Sequence, residues 1–159
     1  MKRNRLQGLA VALIVPALLL GGIAAPSPRH AHAEPAGVRL PPGDVMPFSI
    51  FNPNHLYLDS GSCSITAKTG SVVSAANTSA NQSVDSIGVT IYVQKWNGTS
   101  WENFGAGNTL GGNDTAYYSN AVSKTVTPGY YYRTRSIHWV IENGVYEQGE
   151  NVSGSVLVS

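Results

Sequence analysis

Apolar and polar residues alternate most strictly between Ser86 and Trp96, where Ile87, Val89, Ile91 and Val93 interleave with Gly88, Thr90, Tyr92 and Gln94. A period of two puts the odd positions on one face of a strand and the even ones on the other, so the odd face is the expected core. The run leads into Trp96-Asn97-Gly98-Thr99. Asn and Gly both tolerate positive φ, which predicts a two-residue hairpin turn at Asn97-Gly98. That turn sets Ile91 opposite Phe104 and Gln94 opposite Trp101. A second hairpin has the same grammar: Tyr130 to Ile141, then Glu142-Asn143-Gly144-Val145, then a return strand through Tyr146.

Elsewhere β-branched and aromatic residues recur in short runs broken by Gly, Asn, Ser and Asp, and no useful length keeps a helical period. The pattern predicts strands at 48–51, 55–58, 62–67, 71–74, 86–96, 100–104, 121–126, 130–141, 145–150 and 153–158. Residues 104–118, rich in Gly and Asn with Tyr117 and Tyr118 at one end, read as a long exposed connection. Two long Asn-Gly hairpins favour an all-β antiparallel sandwich over a barrel.

The amino terminus follows a different rule. Lys2, Arg3 and Arg5 precede an apolar run from Leu9 to Ile23 interrupted by Pro16, and Ala31-His32-Ala33 supplies an A-x-A site. This is the grammar of a cleaved secretory signal over 1–33, and the run is short for a permanent membrane span. The expected product is secreted, with no membrane insertion after cleavage. Residues 34–47 are rich in Pro and Gly and read as an extended leader, leaving one domain at 48–159. Cleavage after Ala33 leaves six Lys and Arg against nine Asp and Glu, a net charge of −3. So few charges, mildly acidic in balance, offer no footprint for nucleic acid. The single cysteine, Cys63, excludes an intramolecular disulfide. Its alternation with Ile65 predicts a place on a strand, packed as a small apolar group.

The stretch I-Y-V-Q-K-W-N-G-T-S-W at 91–101, with V-T-P-G-Y-Y-Y-R-T-R-S at 126–136 and a terminal strand, resembles the second half of fibronectin type III and immunoglobulin-like sandwiches. That resemblance implies an immunoglobulin-like or fibronectin type III-like β-sandwich, with Tyr130 or Tyr132 locking the corner after Pro128-Gly129. The half before Asp85 departs from the pattern and has no tryptophan in its early strands. The same stretches, with N-G-V-Y-E-Q-G at 143–149, also resemble an uncharacterised family of small secreted proteins of Gram-positive bacteria, which carries no catalytic or binding residue over.

One constellation stands out as candidate chemistry. Tyr92, Trp96 and Trp101 fall on the even face, away from the predicted core, and large aromatics outside a core need a reason. An immunoglobulin-like sheet brings Tyr131, Arg133, Arg135 and Trp139 to the same face. Arginines interleaved with aromatic rings make either a structural ladder or a platform for a cell-envelope glycan or a protein ligand. The alternative is a secreted inhibitor acting through the connection at 104–118. Catalysis has no signature: His55 and His138 lie in no nucleophile-elbow, zincin or paired-carboxylate pattern, and His138 is expected to be buried and hydrogen-bonded. A hydrolase with a dispersed site predicts a pocket beside one of these histidines. No cofactor or metal motif is present, and Gly111 to Thr115 reads as a plain turn rather than a calcium loop.

Overall fold

A computed structural model of the chain describes Pro41 and residues 47–159. The expected export signal at 1–33 and all of the leader save Pro41 and Pro47 lie outside the described residues. The described chain is all-β and antiparallel. Its strands are β1 (Phe48–Ile50), β2 (Leu58–Lys68), β3 (Ser71–Trp96), β4 (Trp101–Asn103), β5 (Asn108–Thr125), β6 (Tyr131–Glu142) and β7 (Val145–Leu157). They form one sheet in the order β1-β7-β6-β3-β2, with β4 and β5 also paired to β3.

The length of β3 lets one sheet make two layers. At 26 residues it far exceeds an ordinary strand of five or six. Its first part, 71–79, pairs with β2 along one edge and with 117–125 of β5 along the other. Its second part pairs with 108–115 of β5, with β4 and with β6. Between Ser79 and Val84 the register slips, so that residues 80–83 stand opposite Ala116 alone. Extra residues bend a strand and increase its twist, and here the sheet curls until its two halves stack. The inward face changes parity across the bend, from Val72, Ser74, Ala76 and Thr78 to Ile87, Val89, Ile91 and Val93.

Apolar clusters gather at both ends of the space between the layers, Val72, Val93, Val126, Tyr132 and Val158 at one and Leu58, Val84, Ile87 and Val140 at the other. Among them runs a polar band of Ser74, Thr134, Ser136, Thr78 and His138, all fully buried. Each finds a partner, as buried polar groups must. The Thr134 hydroxyl lies 2.8 Å from that of Ser74 and 3.0 Å from the Ser64 carbonyl. The His138 ring meets Thr78 Oγ1 at Nδ1 and Ser136 Oγ at Nε2, each at 2.8 Å. Those hydroxyls in turn reach the carbonyls of Gly88 at 3.0 Å and Asn151 at 3.2 Å. Gly61 of β2 lies so close to the imidazole that a Cβ there would stand 2.5 Å from ring atoms. The corner tyrosine is Tyr132, whose hydroxyl donates to the Thr127 carbonyl at 2.9 Å and accepts from the Thr127 N–H at 3.1 Å.

Several expectations are corrected. Residues 55–57 are not strand but the bend that follows a turn at Pro53 and Asn54, and strand begins at Leu58. The bend is held by Glu147 of β7, whose carboxylate accepts from the N–H groups of Leu56, Tyr57 and Leu58 at 2.6, 2.9 and 2.7 Å. Burial pushes this carboxyl up, but the three N–H groups and nearby His55 outweigh it and hold Glu147 below the usual carboxylate range. Residues 71–74 belong to a strand that runs unbroken to Trp96. The stretch from Asn108 to Tyr118, expected as loop, is the first half of β5 and is held to β3 by ladder bonds, which removes the flexible contact loop from the inhibitor alternative. The same pairing makes Gly111 to Thr115 strand and not turn. The expected strands 145–150 and 153–158 are one, β7, with a bulge at Ser153 and Gly154 where the register to β6 slips between Arg133 and Arg135. Ser153 Oγ fills the gap by accepting from the Thr134 N–H at 2.9 Å.

The first Asn-Gly turn is also wider than expected. Trp96 pairs with Trp101 and Gln94 with Asn103, so four residues form the connection. Asn97 Oδ1 accepts from the N–H groups of both Thr99 and Ser100 at 2.8 Å, and this side-chain turn displaces the two-residue one. The register moves by two residues, which keeps every side chain on its expected face.

Candidate functional site

The outward face of β5, β3, β6, β7 and β1 carries rows of side chains set by the register. Tyr92 is opposite Arg135, Gln94 opposite Arg133, Thr90 opposite Ile137 and Gly88 opposite Trp139. Tyr131, one step beyond the last paired residue, faces Leu157 on β7. The seven residues singled out in the sequence therefore do share one face. Its two ends differ.

At the hairpin end the side chains consume one another. Trp96 is only 5% exposed and packs on Trp101 with ring centroids 5.4 Å apart. The Arg133 guanidinium sits 4.5 Å from the Trp101 ring centroid, and its Nε donates to Gln94 Oε1 at 2.8 Å. Gln94 passes the chain on, donating from Nε2 to Asn103 Oδ1 at 3.1 Å. Burial, reinforced by neighbouring Arg135, pulls the Arg133 guanidinium below its ordinary range. Arg135 donates to Glu150 from Nε at 2.8 Å and from Nη2 at 2.6 Å, a two-pronged ion pair that holds its proton more tightly. Its guanidinium also lies 5.7 Å from the Tyr92 ring centroid. Tyr92 in turn covers Gly107, where a Cβ would meet the ring at 2.5 Å. This end is a ladder of cation, amide and ring contacts.

The Trp139 end is open. Its indole reaches across β3 to β5 because both strands carry glycine beneath it: a Cβ on Gly88 would clash with the ring, and one on Gly111 would come within 2.9 Å of it. In the row on one side the hydroxyls of Thr90 and Thr109 meet at 2.9 Å, and in the row on the other Ser86 Oγ donates to Asn113 Oδ1 at 2.9 Å. Tyr146, 54% exposed, and Ile141 complete a trough of about 310 Å³ lined by Thr90, Thr109, Trp139, Ile141 and Tyr146. A second hollow of about 270 Å³ lies beyond it, between Ile50, Ile137, Gly149 and the Arg135–Glu150 pair. Thr90, Thr109 and Tyr146 were missed in the sequence. Nothing in the residues around Thr109 identifies a strand, and only the pairing of β5 with β3 brings that hydroxyl to the face.

Neither histidine lines these hollows or a third, of about 240 Å³, between Cys63 and Ile65 on β2 and Ser153 and Val156 on β7. His138 is sealed between the layers, and burial lowers its pKa to about 4. Cys63 is half-buried and free, with its sulfur 3.1 Å from Asn151 Oδ1, and burial pushes the thiol up. Among the described residues no three His, Cys, Asp or Glu side chains gather as a metal site, and no helix is long and apolar enough to cross a membrane.

Residues 50–156 match a protein family described as a family of unknown function (DUF6147). No curated protein and no solved structure matches the chain.

Proposed function

We propose a role for a chain that belongs to a family of unknown function (DUF6147): it is a secreted, non-catalytic binding module that holds a ligand of the bacterial cell envelope on the outward face of β3, β6 and β7. Export is supported by the basic start, the apolar run and the Ala31-His32-Ala33 site, and a Gram-positive source by the family resemblance. An immunoglobulin-like relationship is supported by the Tyr132 corner. A non-catalytic role is supported by the burial of His138, which keeps its hydroxyl neighbours away from any substrate.

The single observation that carries the reading is the distribution of apolar groups. Ile137, Trp139 and Ile141 with Tyr146 and Ile50 occupy adjacent rows on the side of the sheet that covers no core, and Ile50 and Tyr146 are 63 and 54% exposed. Leu157 stands apart, beyond the rows of Arg135 and Arg133. Exposed apolar groups gathered in adjacent rows mark a binding face. The charges at its border, Arg135 and Glu150, neutralise each other.

Co-sedimentation of the purified protein with washed cell envelopes tests the role. The parent is expected in the pellet, and a variant with Ile50→Asp and Tyr146→Asp in the supernatant with its fold intact by circular dichroism. A variant that pellets as well as the parent would remove this face from the role.

A further inference from the structure

We infer that the trough around Trp139 is a site for a neutral pyranose ring of a glycan. The inference rests on the reading of the outward face as a binding face and names its ligand.

Three features of the trough match a sugar. The first is a supported ring. The Trp139 indole packs its Cζ2–Cη2 edge on Gly88 and Gly111, so backbone supports it, and the ring forms part of the trough wall. An aromatic face is the negative side of a quadrupole, and it attracts the slightly positive C–H edges that line one side of a pyranose. The second is the pair of polar rungs. Thr90 with Thr109 and Ser86 with Asn113 flank the Trp139 row, each two residues along the strand and hence about 7 Å away. Hydroxyl and amide groups at that spacing meet the equatorial hydroxyls of a ring stacked on the indole or of the sugar next to it. The third is charge: Thr90, Thr109, Trp139, Ile141 and Tyr146 include no carboxylate, ammonium, guanidinium or imidazole. A carboxylated or phosphorylated sugar finds no counter-charge there, and a neutral one loses nothing.

A purely structural role for Trp139, as the cover that two strand glycines require, predicts the same packing but no ligand. The two are separated by side chains that do not support the ring. Titration calorimetry and tryptophan fluorescence of the protein, processed as in its host, are run with tetramers of β-1,4-linked N-acetylglucosamine and of β-1,4-linked glucose, and with polygalacturonate as the charged comparison. Binding of a neutral tetramer is expected, with quenching or a shift of the emission. Thr90→Val with Thr109→Val is expected to weaken it about ten-fold or more through lost hydrogen bonds, and Tyr146→Ala to weaken it too, with melting temperatures close to the parent's. Three outcomes overturn the inference. Tetramer binding that survives both variants places the sugar elsewhere. Failure to bind either tetramer, with envelope co-sedimentation intact, leaves the binding face standing and gives it a different ligand. Loss of both tetramer binding and co-sedimentation removes the binding face as well.

Discussion

The two faces of β6 invert the usual partition. Its inward residues are Tyr132, Thr134, Ser136, His138 and Val140, three of them small and polar or ionisable, whereas its outward residues are Tyr131, Arg133, Arg135, Ile137, Trp139 and Ile141. The inner set survives without water because each polar side chain has a partner, Thr134 and His138 on the facing layer and Ser136 and Tyr132 nearby in the chain or on β7, so hydrogen bonds replace part of the apolar contact. The outer set survives in water because arginine, glutamine and glutamate cover the aromatic rings at one end. At the other end nothing covers Trp139 but its own strand neighbours. Polarity tells little about which side is core in this chain. Satisfaction of each group tells more.

That contrast can be broken from the inside. The largest effect is expected at Glu147, which is 8% exposed and holds three backbone N–H groups. Glu147→Ala leaves them without acceptors and is expected to cost about 3 kcal/mol, lowering the melting temperature by about 10 °C; a scanning calorimeter decides it, and a shift within a degree or two would refute the anchoring role.

Acid tests the same interior through His138. An unfolded histidine titrates near 6.5 and the native one at about 4. As pH falls below 6.5 the unfolded chain takes up a proton that the folded chain refuses, so stability drops, and the contribution of this group levels off below pH 4. The full loss is about 3 kcal/mol, at 1.36 kcal/mol per unit. Urea denaturation from pH 7 to 4 is expected to show that decline, and His138→Leu to flatten it. Glu147, held below its ordinary range, adds its own loss only at the acid end of that window and beyond.

The outer ladder is expected to matter least to stability. Arg135 and Glu150 are about 30 and 26% exposed, and pairs wetted to that degree contribute less than about 1 kcal/mol. Arg135→Met is thus expected to shift the urea midpoint only slightly, and less in 1 M salt than in dilute buffer. A loss as large as that of Glu147→Ala would mean that the outward face, too, is structural core.

The second half of the fold is legible in the sequence because its strands alternate. Ile87, Val89, Ile91 and Val93 announce their inward face, and the pairing of β3 with β6 brings Tyr92 beside Arg135 as the resemblance implied. The first half is legible only in part: the strands expected at 62–67 and 71–74 fall within β2 and β3, but the extent of β3 is hidden, since its inward residues before the bend include Ser74, Ala76 and Thr78, which look the same as the Ser, Asn and Thr around them. Small side chains there leave room for His138 and Thr134 from the other layer, a fit no single strand reveals. β5 is hidden for a related reason. Gly111 sits under Trp139, and a glycine needed for a neighbour's ring reads in isolation as a loop residue. Of the candidate face, the tryptophans and arginines were visible by parity. Which end stays open depends on hydrogen bonds between strands.

The pairing of Phe48 with Val152 and of Ile50 with Glu150 ties the first strand to the last. Contacts of such long sequence separation fold slowly, because loop-closure entropy is lost before the contacts reward it. The edge strand β1 has no partner until β7 has been synthesised, so a ribosome-bound chain carries that strand unpaired. For a polypeptide proposed to cross a membrane before it folds, that delay keeps it threadable.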